Sequence, residues 1–170
     1  MHRSAVAALL ATALASVASC SSKAETTARY VGSGCPQVTS VLRVHNSGPR
    51  MHNSIVPDTA TGAVVCAYKT RGDTFVLAGQ SSLTGTDAER LEALLNRLPA
   101  LANGTYSCTT GKTESDWIVN FSLTQSAGTV AVVVRSSGCS YATNGQRGGS
   151  LASVAGPPIV ALLLSRSHQS

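Results

Sequence analysis

Five cysteines, Cys20, Cys35, Cys66, Cys108 and Cys139, constrain this 170-residue chain more than any other feature. Cys20 stands apart from the rest. It follows a basic start (Met1-His2-Arg3), an apolar run over residues 4–15, and the small residues Ser16-Val17-Ala18-Ser19. That order is an export signal, and the apolar run is too short to remain as a membrane span. An odd number of cysteines in an oxidising compartment leaves one thiol over. With Cys20 set aside, the remaining four can close two disulfides.

Val17-Ala18-Ser19-Cys20 resembles a bacterial lipobox: aliphatic, small, small, Cys. The resemblance implies a diacylglycerol on the Cys20 thiol and cleavage just before it, so that lipidated Cys20 becomes the N-terminus. An ordinary secretory signal cut at the same bond would leave Cys20 unmodified, but the cysteine count favours the lipid. The expected layout is a signal peptide over 1–19, lipidated Cys20 with a polar tether over 20–34, and one globular domain over 35–170. The tether shows no apolar period, as befits a flexible spacer. The expected location is extracytoplasmic, anchored to the cell membrane through the N-terminal lipid, with secretion as the alternative.

Aromatic residues are few (Trp117, Phe75, Phe121 and four Tyr), so Val, Leu, Ile and Ala must build the core. A core this lean gains from cross-links. The formal charge is +5, with arginines scattered singly. No basic run suits nucleic acid, which is excluded as a partner.

Residues 38–44 predict a strand with Val38, Leu42 and Val44 on one face and Thr39, Arg43 and His45 opposite. Asn46-Ser47-Gly48-Pro49 breaks it, and a polar loop runs on to Gly62. A structureless stretch of that length is unusual in a compact domain, so the loop is read as mobile or functional. Arg50, His52 and Asn53 are its candidate binding residues. Strands over 63–68 and 75–83 form a hairpin about Arg71-Gly72-Asp73. Thr86 and Glu89 have capping-box spacing, and Leu91, Leu94, Leu95 and Leu98 recur at helical spacing before Pro99.

Beyond Cys108, Trp117, Val119, Phe121 and Leu123 alternate with Ile118, Asn120, Ser122 and Thr124, a strand pattern. Residues 130–134 run back as its partner. Asn144-Gly145 predicts a tight turn, and 147–156 an irregular glycine-rich stretch. Residues 157–164 suit a short helix with Pro158 in its first turn, or a strand. The fold class expected is α+β: an antiparallel sheet with one main helix packed on it, linked by disulfides. Four cysteines allow three pairings. Cys35–Cys66 and Cys108–Cys139 are preferred, since each closes a neighbouring β unit on one side of the helix.

The order Pro57-Asp58, Gly62-Ala63, Cys66-x-Tyr68, the leucine helix, Cys108, Gly138-Cys139 and Asn144-Gly145 is similar to a family of uncharacterised actinobacterial lipoproteins and secreted proteins. That resemblance spans about residues 35–145 and implies no activity for named residues. In element order alone, the chain also resembles small secreted inhibitors of the subtilisin-inhibitor type. It lacks their Cys-Pro reactive-loop pattern, because Cys108 is followed by Thr109-Thr110-Gly111-Lys112.

Gly111-Lys112-Thr113 resembles the end of a phosphate-binding loop, but the glycine required five residues earlier is Tyr106. His45, His52 and Asp58 match no metal-ligand spacing. Glu114 and Asp116 sit together at a strand entry, where turn charge explains them. Asn103-Gly104-Thr105 fits a glycosylation sequon, which in the bacterial lipoprotein implied by the lipobox resemblance is read as coincidence. The sequence therefore points to a non-enzymatic envelope lipoprotein, without cofactor or metal, that binds an envelope protein or ligand. A protease inhibitor using residues 109–115 ranks second, and an unrecognised hydrolase last.

Overall fold

The computed structural model describes residues 34–40, 42–44, 46, 49–101, 115–124, 128–136 and 138–167. Its centre is an antiparallel sheet of seven strands in the order β1-β3-β2-β4-β5-β6-β7. In chain order these are β1 (Val38–Thr39), β2 (Ala60–Arg71), β3 (Thr74–Thr84), β4 (Asp116–Leu123), β5 (Thr129–Arg135), β6 (Tyr141–Thr143) and β7 (Gly148–Ser150). Helices α1 (Thr86–Asn96) and α2 (Gly156–Ser167) pack against the sheet and each other. This is the expected α+β class.

The alternation in β4 explains the layering. Trp117, Val119, Phe121 and Leu123 join the main core with Leu91, Leu95, Ile159 and Leu163 of the helices. Ile118 faces a second apolar cluster with Leu42, Val44, Cys66, Tyr68, Ala131 and Val133. Each fully buried Leu, Ile or Val contributes about 2 kcal/mol through apolar area removed from water. Both faces of β4 are therefore buried, because something other than a helix covers the far side.

That cover is the N-terminal segment, which crosses the second face as a strap. The Cys35–Cys66 disulfide holds its start to β2. The Tyr68 hydroxyl donates to the Pro36 carbonyl at 3.1 Å, and the Leu77 amide donates to the Gln37 carbonyl at 2.9 Å. Leu42 and Val44 then lie buried over the sheet. At the far end the Asn46 side chain acts as a mock strand. It donates to the Ala131 carbonyl at 2.7 Å and accepts from the Ala131 amide at 3.0 Å, closing a stretch of β5 that β6 does not reach.

Several local expectations change. The strand expected over 38–44 is only two residues long. Val38 is 58% exposed, while Thr39 is buried. The ladder with β3 ends at Thr39, so the period does not carry through to Leu42 and Val44. The Thr86 capping box does not form. Gly85, at φ 51°, takes the N-cap position and Thr86 becomes the first helical residue. The Glu89 amide donates to the Gly85 carbonyl instead. The glycine-rich stretch 147–156 is not wholly irregular, since β7 pairs with β6 around the Asn144-Gly145 turn. Its other edge meets the chain leaving α1, where the Leu101 amide donates to the Gly148 carbonyl. Residues 157–164 are helical, with both prolines in the first turn of α2.

Candidate functional site

The loop between the strap and β2 is neither polar throughout nor loosely held. It contains a 3-10 turn (Pro49–His52), and it buries Met51, Ile55 and Val56 in the main core. Three residues from distant elements pin its backbone. The two hydrogens of the Asn144 amide are shared among the carbonyls of Met51, Ser54 and Ile55, at 3.1, 3.0 and 3.0 Å. The Asn96 side chain accepts from the Val56 amide and donates to the Val56 carbonyl, both at 2.9 Å. Glu92 accepts from the Ala60 amide at 2.8 Å. These bonds satisfy backbone groups that burial would otherwise leave unpaired.

On the outside of this pinned segment Arg50, His52 and Asn53 are exposed. Arg50 is engaged with Asp58 at 2.6 Å. Asp58, the carboxylate nearest the histidines in sequence, therefore has a guanidinium partner. Among the described residues, no group of three or more His, Cys, Asp or Glu could hold a metal ion. His45, Asn103, Gly111-Lys112-Thr113 and Glu114 lie outside the described residues, as does the inhibitor segment except for Ser115.

Asp116, expected from the sequence to be solvated turn charge, is instead buried and bonded to Arg135 at 3.2 Å, because it opens β4 inside the sheet and not in a turn. Burial works against the Arg135 charge, but Asp116 and the Tyr141 side chain outweigh it and leave the guanidinium pKa raised. The same guanidinium lies 5.8 Å from the centre of the Phe75 ring. Charge, ring and strand pairing hold this cluster together as a structural lock on one end of the sheet.

Cys35 and Cys66 are bonded to each other, as expected. Cys139 is also disulfide-bonded. Its expected partner Cys108 lies outside the described residues, as does Cys20.

The sequence does not single out the groove beside α2. A space of about 440 Å³ opens between that helix and the ends of β4 and β5. Leu151, Pro157, Val160 and Leu164 wall it, over Trp117. The Trp117 ring is fully buried, and its indole N–H donates to the Ser167 hydroxyl at 3.1 Å. Ser115, Ser136 and Ser140 complete the rim. The Ser136 hydroxyl donates to the Ser115 carbonyl at 2.7 Å, and Ser140 to the Ser136 carbonyl at 2.9 Å. At the head of the groove α2 starts hard against Leu151: the space a Cβ on Gly156 would occupy is filled by the Leu151 backbone. Sequence did carry one signal for it. Residues 156–165 hold no charge, and a helix on the outside of a sheet cannot bury such a run on every side.

The chain matches no protein-family model, no curated protein and no solved structure.

Proposed function

We propose that the protein is a non-catalytic cell-envelope lipoprotein that binds an apolar group of a partner or ligand in the groove beside α2. The observation that carries this reading is the groove's construction. Its size suits a small ligand or a projecting side chain, and Leu151, Pro157, Val160 and Leu164 give it aliphatic walls beside buried Trp117. The hydroxyls of Ser136 and Ser140 are directed to backbone carbonyls, so both serve the fold. The reading for Cys20 supplies the location: held at the membrane surface, the domain meets its ligand there.

Trp117 is the only tryptophan, and it lies at the groove. Titration with dodecanoic acid should change its emission saturably, and Leu164→Glu should weaken that response about tenfold, since a charge would then line an apolar wall. A response absent in the parent, or equal in the variant, rejects the groove. Turnover of an envelope substrate, abolished by one side-chain change, rejects the non-catalytic reading.

A further inference from the structure

We infer that the outward face of α2, with the Val154 turn at its head, rests on an anionic lipid bilayer. An outer helix of a globular domain ordinarily turns charge to solvent. Here Pro157, Pro158, Ala161 and Leu164 are exposed, and Val154 just before them is 95% exposed. Beside Val154 a second groove, of about 510 Å³, is walled by Leu94, Pro99, Ala155 and Pro158. The apolar surface is therefore continuous from the end of α1 onto α2.

Charge complementarity selects the occupant. Arg97 lines that second groove and is exposed. Arg90 is exposed too, and lies on the same stripe of α1 as Leu94 and Arg97 by its i, i+4, i+7 spacing. Asp87, on the same side of α1, is paired with Arg166 of α2. Glu92 turns the other way to Ala60, and Glu89 shares the Glu92 side by spacing. The apolar face thus has a net positive rim, which suits phosphate headgroups around a shallow apolar insertion. Among the described residues no helix is long and apolar enough to cross a membrane, so α2 would lie on the surface. The inference rests on the envelope-anchored reading, in which residues 20–34, at most about 50 Å when extended, keep the domain within reach of the bilayer.

The test uses the chain from residue 20 with Cys20→Ser, so that no acyl group contributes. Val154→Trp is mixed with phosphatidylcholine vesicles bearing brominated acyl chains, with and without phosphatidylglycerol. Emission from the new tryptophan should be quenched on the anionic vesicles beyond any quenching of Trp117 in the parent chain. In the parent, Val154→Glu and the pair Arg90→Glu/Arg97→Glu should each lower vesicle binding at least about tenfold. No quenching, binding indifferent to these changes, or burial of the Val154 face in a dimer by sedimentation would each overturn the assignment. Because the acyl group is absent, those failures leave the anchor itself to be decided by the mass of Cys20.

Discussion

The side-chain amide of Asn144 donates to the Ile55 carbonyl at 3.0 Å across 89 residues of chain, with Asn144 itself fully buried. The same side chain accepts from the amides of Gln146 and Arg147, so one residue shapes its own turn and holds the distant loop. Asn144→Ala should cost about 3 kcal/mol in urea denaturation, because several buried backbone groups lose their partner together. Hydrogen exchange should quicken first at residues 51–56. Asn144→Asp should be worse than Ala, since a carboxylate would face three carbonyl oxygens. Equal stability in all three forms would show that the loop does not depend on this side chain.

Replacing both Cys35 and Cys66 with Ala removes a bridge of sequence separation 31. The chain-entropy estimate for a loop of that size is about 3–4 kcal/mol. Chemical denaturation should show that loss, with the strap residues 42–44 exchanging faster than β4. A loss confined to the strap, with global stability unchanged, would place the bridge outside the cooperative unit.

Gly156→Ala should destabilise by about 2–3 kcal/mol, because the new methyl meets backbone and not a flexible side-chain end. Thermal melting measures the cost, and Trp117 emission should shift red as α2 moves off the groove. Gly149→Ala should also destabilise, by about 1–3 kcal/mol, because its methyl would come within 2.5 Å of the Leu98 Cβ, which moves only with its backbone.

Intact mass of the membrane fraction should show a diacylglycerol-modified chain beginning at Cys20. Cys20→Ser should release the protein or block its processing. An unmodified Cys20 on a soluble mature chain would remove the anchor from the proposed function.

Strand β4 and helix α1 were legible because their periods are local: alternation for Trp117 to Leu123, and i, i+3/i+4 for the leucines. The long loop was not. Met51, Ile55 and Val56 follow no period, and the residues that hold them, Asn96 and Asn144, lie 40 to 93 positions away. A polar composition therefore hid a segment whose backbone is tied down and whose few apolar side chains reach the core. The Thr86 box failed for a local reason, since Gly85 could occupy a positive φ and begin the helix one residue early. The groove was half legible: an uncharged run announced a helix face without company, while its position over Trp117 depends on how α2 crosses the sheet.

The strap bridge also has a bearing on the order of assembly. Cys35 and Cys66 are successive cysteines in the folded domain, and both lie ahead of α1 in the chain. For a chain threaded through a membrane N-terminus first, they emerge as a pair before β4 and β5 exist to be covered. Oxidation can then join nearest neighbours in time without later reshuffling, a step that otherwise takes seconds to hours. The strap would be fixed at one end while still empty beneath. The arrival of Ala131 on β5 would let Asn46 fasten the other.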